Sequence, residues 1–215
     1  MPVEKHINFF ELEKAAALPG CPLCRIIADR AQRYLNIMLF EHVGDRGFRA
    51  LHRKAGGFCA SHSRSLESYR DGLAVAILGR DILVDRLECF KKRKPWKPQG
   101  RCPLCEEQDD IEHEYLGFLV QVPDTCPDKD DAELKGIFLA SDGLCAPHYE
   151  RLQRGFKRVP SWLLEFQNRK YEELLRRTDV FIELSAYGRQ DEFRKLDEKD
   201  QLVWKELAVN LRGGG

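Results

Sequence analysis

One metal-ligand signature occurs twice in this chain. The first copy is Cys21-Pro22-Leu23-Cys24, followed by Gly57-Phe58-Cys59-Ala60-Ser61-His62. The second is Cys102-Pro103-Leu104-Cys105, followed by Gly143-Leu144-Cys145-Ala146-Pro147-His148. Each copy supplies three thiols and one imidazole, a full tetrahedral set for zinc. Any fold open to the chain must therefore bring distant short motifs together. The chemistry predicts metal ligation at Cys21, Cys24, Cys59, His62, Cys102, Cys105, Cys145 and His148, and two zinc ions per chain.

The local spacing suits that role. A C-x-x-C turn places two sulfurs within reach of one ion, and Pro22 and Pro103 tighten it. Cys59 and His62 stand three apart at the start of a helix and share a face, as do Cys145 and His148. Partial positive charge at a helix N-terminus favours the thiolate at Cys59 and Cys145. Gly57 and Gly143 give the chain room to turn into that helix. Four protein ligands leave no position for a catalytic water, which argues against zinc hydrolysis. A lone C-x-x-C can instead be a thioredoxin-like redox pair, but the βαβ context for one is absent. An iron–sulfur cluster is the rival metal centre, and its usual set of four cysteines counts against it here.

The motifs repeat with an offset of 81 residues for C-P-L-C and 86 for C-x-x-H. The simplest arrangement closes one site within each repeat. A helix of about 19 residues after Cys24 runs roughly 28 Å. Residues 43–57 can span roughly 50 Å, enough to return even with a short helix at Phe48–Ala55. The expected architecture is all-α, with two pseudo-repeated zinc-stapled helical modules. Residues 1–94 would form the first Cys3His module with an N-terminal helix. Residues 95–101 would be a linker, and 102–215 the second module with a C-terminal helix.

Helical periodicity covers most of the chain. Asn8 and Glu11 resemble a capping box opening a helix that ends near Leu18-Pro19-Gly20. Leu23, Ile27, Tyr34, Leu35, Met38 and Leu39 mark a helix to about His42. Ile111, Tyr115, Phe118, Leu119 and Val122 mark another, stopped by Pro123. Further helices are expected over about 73–93, 161–186 and 191–211. Strand-like alternation is scarce.

Charge and composition narrow the function classes. The 43% hydrophobic content is enough for a core, and no apolar run approaches the roughly 18 residues of a membrane helix. The N-terminus shows no signal-peptide pattern, so a soluble cytoplasmic protein with reduced thiols is expected. The net charge of zero conceals 19 Lys/Arg against 11 Asp/Glu in residues 1–101, and 16 against 24 in residues 102–215. Mutual attraction of the halves or head-to-tail self-association is the plainer account, and an anionic partner for the basic half the sharper one. Residues 91–101 hold several basic residues around Trp96. They read first as a solvated hinge, and second as a grip for phosphates with a base stacked on the ring. The acidic run 106–110 suits the start of a helix. Cys89 reads as a small core residue and Cys126 as an exposed loop thiol. His6, His42, His52 and His113 lack partners at ligand spacing. No phosphate loop, G-x-S-x-G or H-E-x-x-H occurs, and Glu41-His42 and Glu112-His113 are pairs too common to signify.

The paired C-P-L-C and G-[FL]-C-x-x-H pattern, with the lead-in Leu18-Pro19-Gly20, resembles a prokaryotic family of helical cysteine-containing proteins of unknown function. The resemblance spans residues 6–185 or so. It implies that the eight Cys and His ligands belong to one pattern, and it implies no activity. The function expected is a non-enzymatic interaction or adaptor protein with a protein partner or a second copy. The alternatives are a thiol redox switch that releases zinc on oxidation and a nucleic-acid-binding protein using residues 91–101.

Overall fold

The computed structural model describes residues 7–67, 72–186 and 188–213. His6 lies outside them. Among the described residues the chain is all-α, with no strand. The helices are α1 (Ile7–Ala16), α2 (Pro22–Ile37), α3 (Arg46–Ala55), α4 (Ala60–Glu67), α5 (Gly72–Lys91), α6 (Pro103–Val120), α7 (Lys129–Leu139), α8 (Ala146–Gly155), α9 (Ser161–Leu184), α10 (Gln190–Phe193), α11 (Glu198–Gln201) and α12 (Val203–Arg212). A π-helical turn, Met38–His42, prolongs α2. The chain forms two compact units: Met1–Ile26 with Glu112–Gly215, and Ile27–Ile111. This division does not follow the sequential one expected at residues 95–101. The chain passes between units inside α2 and again inside α6.

The first unit, Met1–Ile26 with Glu112–Gly215, has a core of large apolar side chains spaced for helices. Phe9 and Leu12 of α1, Tyr115 and Leu119 of α6, Leu134 and Phe138 of α7, Leu152 of α8, and Leu163 and Phe166 of α9 are all buried. The indole N–H of Trp162 donates to the Val122 carbonyl at 3.0 Å. The Asp124 carboxylate accepts from the Trp162 backbone N–H at 2.8 Å and so caps the start of α9.

Asn8 and Glu11 do not form the expected capping box. Asn8 lies inside α1 and is buried. Its amide donates to Glu114, and the Tyr115 hydroxyl donates to Glu11. A polar pair on the core-facing side of an amphipathic helix is satisfied here across to α6 instead of by its own backbone. The single helix expected over 191–211 is also corrected, to α10, α11 and α12. Asp197 caps α11 by accepting from the Asp200 N–H at 2.7 Å. The buried Arg177 guanidinium of α9 donates to Asp200, to Glu206 and to the Lys199 carbonyl. A buried cation needing several acceptors holds the broken helix against α9.

The second unit, Ile27–Ile111, has two small apolar clusters. Ala31, Leu35, Cys102 and Leu104 pack with Tyr34, Phe58 and Leu66. Leu39, Ala74 and Leu78 pack with Val43, Phe48 and Val75. Helix α3 opens on Asp45, whose carboxylate accepts from the Phe48 N–H, and closes on Gly56 in the left-handed conformation at φ 73°. It is tied to α5 by two bidentate ion pairs, Arg49–Asp81 and Arg53–Asp85.

The segment expected as a solvated hinge, 91–101, is exposed along its length except at Trp96, which is half-buried and packs within this unit. The Trp96 ring sits where a Cβ on Gly56 would stand, 2.2 Å from Cη2. Arg86 covers the ring at 4.7 Å from its centroid. The Gln99 N–H donates to the Lys54 carbonyl at 2.7 Å.

Candidate metal centres

The eight sequence-derived ligands converge in two groups of four, paired across the repeats and not within them. Site 1 joins Cys21 and Cys24 to Cys145 and His148. Site 2 joins Cys59 and His62 to Cys102 and Cys105. The expectation that each repeat closes its own site is therefore corrected. Reach permitted the return of residues 43–57 but did not require it. Each four-residue group lies within one compact unit, site 1 in the first and site 2 in the second.

Local geometry is as the motifs imply. Cys21 immediately precedes α2 and Cys102 lies just before α6, with prolines at the first helical positions. Cys145 is the N-cap of α8, with φ −70° and ψ 162°. Gly57 and Gly143 have φ 87° and 80°. A Cβ on Gly143 would lie 2.9 Å from Gln167 Oε1, and one on Gly57 would lie 2.8 Å from Ile82 Cδ1. Glycine at these two positions is required both by backbone conformation and by space.

Tetrahedral zinc with Zn–S bonds of about 2.3 Å has S···S edges of about 3.8 Å, and slightly shorter S···N edges. In site 1 the Cys24–Cys145 sulfur separation is 3.6 Å, and His148 Nδ1 lies 3.3, 3.5 and 3.1 Å from the sulfurs of Cys21, Cys24 and Cys145. In site 2 the Cys59–Cys105 separation is 3.7 Å, and His62 Nδ1 lies 3.4, 3.4 and 3.5 Å from Cys59, Cys102 and Cys105. Both histidines face the thiols through Nδ1. Either group can hold one metal ion.

The surroundings of the two groups differ. In site 1, Cys145 is 1% exposed. Its loop is clamped by Gln167, which accepts from the Leu144 N–H at 2.8 Å and donates to the Leu144 carbonyl at 2.9 Å. Tyr171 donates to the same carbonyl at 3.1 Å. The buried Glu112 carboxylate stands 3.8 Å from His148 Nε2 and is paired with Arg151 at 3.2 Å. At 3.8 Å the carboxylate is beyond hydrogen-bond range of the ring and places negative charge behind its distal nitrogen. The other three residues of site 1, Cys21, Cys24 and His148, are half-buried, as are Cys59, Cys105 and His62 of site 2. The Ser61 hydroxyl lies 3.1 Å from Cys59 Sγ, and Gln108 hydrogen-bonds to His62.

Proton affinities follow these surroundings. In site 1, hydrogen bonds with Cys145 and Cys24, then burial, hold the Cys21 thiol well above its usual range. Burial lowers His148, but Cys145 and Cys24 outweigh it and push the imidazole up to about 10. In site 2, burial and the neighbouring Cys59 push Cys105 up to about 12. Burial raises Cys59 too, but the Ser61 hydroxyl and the backbone at His62 outweigh it and bring the thiol down to about 7. Burial lowers His62.

Motif spacing did not reveal Gln167 and Tyr171, which lie far along the chain from Leu144, or Gln108, which lies far from His62; Arg151 stands three residues after His148, but its partner Glu112 is distant in sequence. Glu112 belongs to one of the pairs judged too common to signify, and it is the residue behind His148. Its neighbour His113 is exposed and stacks on Phe156, with centroids 5.2 Å apart. His42 is exposed, and His52 is buried at 3% exposure. Cys89 is half-buried and lines a groove with Arg53, Asp85 and Trp96, so it is not the core residue expected. Cys126 is also half-buried, and its thiol donates to the Pro123 carbonyl at 3.3 Å, so it is not a free loop thiol.

No protein-family profile matches the chain. No solved structure matches it. The chain is 28% identical over 137 residues, covering 61% of it, to the uncharacterised 23.9 kDa protein in the xynA 3′ region of Caldicellulosiruptor sp. (strain Rt8B.4). The chain spans 64% of that relative's length. The likeness is thus to a protein that is itself uncharacterised.

Proposed function

We propose that each group binds one zinc ion, and that the protein is a zinc-stapled helical scaffold acting as a non-enzymatic interaction protein. The observation that carries this reading is the convergence of two complete Cys3His sets with edges matching a zinc tetrahedron. Three thiolates and an imidazole suit zinc better than an oxygen-preferring cation. Four protein ligands give a closed site of the structural kind. The expected contribution to folding is on the order of 10 kcal/mol per site. A reducing compartment such as the cytoplasm keeps the thiols available, and no helix among the described residues is long and apolar enough to cross a membrane. An interaction role, with a protein partner or a second copy, is supported by the outward face of α5, where Leu73, Leu83, Leu87 and Phe90 are exposed. The nucleic-acid alternative is weakened because the Trp96 ring is already engaged by Gly56 and Arg86.

The test is metal content per chain on protein purified without chelator or added metal, together with a free-thiol count. Two zincs and few reactive thiols are expected. Iron with visible absorbance would replace the zinc reading. Absence of metal with oxidised C-P-L-C pairs would overturn it.

One observation favours a second reading, a redox switch at site 2. Cys59 is half-buried with its thiol near 7, so metal-free site 2 presents a reactive thiolate. Hydrogen peroxide would take two electrons from a pair of these thiolates, forming one disulfide and two equivalents of hydroxide while zinc leaves. Fast zinc release by peroxide, reversed by dithiothreitol, is the expected signature. Release only on denaturation would reject it.

A further inference from the structure

A cavity of 730 Å³ in the first unit opens against site 1. That volume falls in the range of small-molecule pockets. Its wall includes Cys21, Cys24 and Cys145, and also the cationic side chains of Arg25, Lys199 and Lys205. Two carboxylates share the wall, and both are already used. Asp142 accepts from the Gly20 N–H at 2.8 Å, and Glu206 accepts from Arg177 at 2.8 Å. The Lys199 ammonium acts on the Glu173 carboxylate, and Lys205 lies over the Trp204 ring at 5.4 Å from its centroid. Arg25 uses Nη2 on the Pro19 carbonyl at 2.7 Å, and its Nε has no hydrogen-bond partner among the described residues. Three cationic side chains against two carboxylates therefore line a cavity that reaches the sulfurs of site 1.

A closed four-ligand site cannot admit a water or a carbonyl oxygen to the metal. It can still react at sulfur, because alkylation of a thiolate needs no vacant coordination position. We propose that this cavity binds a small organic anion against the sulfurs of site 1, and that a site 1 thiolate attacks such an anion when it carries an alkylating carbon. The proposal rests on the zinc reading for the thiolate state. In the step, the sulfur electron pair forms an S–C bond. The bond from that carbon to its leaving group breaks, and the leaving group departs with its electron pair. No proton moves and no electron is gained from or lost to a third party.

Long-range charge opposes this preference, which makes it decidable. Residues 27–111, which hold site 2, carry 16 Lys/Arg against 12 Asp/Glu, whereas the remaining residues carry 19 against 23. The net field alone would draw an anion to site 2. Selectivity for anions at site 1 must then come from the cavity.

The experiment compares iodoacetate with iodoacetamide on the as-purified protein. Rates are read cysteine by cysteine from peptide masses, with zinc quantified before and during reaction. The expected iodoacetate-to-iodoacetamide rate ratio at the site 1 cysteines is about 10-fold above that at site 2. In K199A/K205A the ratio falls to the site 2 value while zinc content and helicity are unchanged. Equal ratios at the two sites, or an unaltered ratio in K199A/K205A, would overturn the proposal. Protein that contains no zinc from the outset would overturn the zinc reading instead, and the ratio measured on its bare thiols would still decide whether the cavity recognises anions.

Discussion

Sites 1 and 2 have the same four ligands and nearly the same edge lengths, yet they differ in everything behind the ligands. Site 1 has Cys145 sealed in the core, its loop held by Gln167 and Tyr171, and a carboxylate behind its histidine. Site 2 has Cys102 at 9% exposure as its most buried ligand, and its other supports are Ser61 and Gln108. A motif therefore specifies which donor atoms meet, and the side chains around it would set how firmly a metal is held there.

The largest expected effect breaks or confirms the pairing itself. Cys24→Ser removes a site 1 ligand, and should cost much of the roughly 10 kcal/mol that a structural zinc contributes. Hydrogen exchange should show α8 losing protection while Ala60–Glu67 keeps it. Loss at Ala60–Glu67 with α8 intact would mean that sites close within repeats. Cys105→Ser should give the converse pattern.

Acid should weaken the second unit selectively. Burial brings His52 down to about 4, against some attraction from Asp81. Between pH 6.5 and 4 the unfolded chain binds a proton that folded His52 refuses. The stability present above pH 6.5 is therefore lost as pH falls through this window, by up to about 3 kcal/mol. His52→Leu should flatten that part of the urea-denaturation profile, with zinc content measured alongside. An unchanged slope would remove His52 from the account.

Gln167→Leu tests the clamp at site 1. It leaves the buried Leu144 N–H without its acceptor, while the carbonyl keeps Tyr171, and should cost about 2 kcal/mol in thermal or urea denaturation. Ser61→Ala at site 2, where the hydroxyl is exposed, should cost much less. Equal losses would erase the contrast. The smallest effect is kinetic. Zinc captured by a colorimetric chelator should leave site 2 about 10-fold faster than site 1, which corresponds to about 1.4 kcal/mol in the barrier. Cys59→Ser and Cys145→Ser variants identify which phase belongs to which site.

The eight Cys and His residues that converge were legible in the sequence because the spacing that makes a motif is local: Cys59 and His62 face one way on any helix. The partner of each motif was not legible. A repeat in sequence suggests a repeat in space, and chain reach allowed the return from His42 to Cys59 without demanding it. The long helices α5 and α9 were plain from periodicity. The break at Asp197 was not, because it depends on Arg177, twenty residues upstream, finding Asp200 and Glu206. Trp96 is the converse case. Composition read its segment as solvated, which holds for its neighbours, and the close approach of its ring to Gly56 was not legible in the spacing.

The crossed pairing also fixes an order of events at the ribosome. Cys59, His62, Cys102 and Cys105 have all been translated once residue 105 is made, when neither Cys145 nor His148 exists. At typical elongation rates the 43 residues to His148 take on the order of seconds, during which the inner site can already be loaded. Cys21 and Cys24, made first, wait longest. Nascent Cys21 and Cys24 are the thiols most exposed to a wrong metal or a wrong partner, and the later motif can release them from that risk only once residue 148 is made.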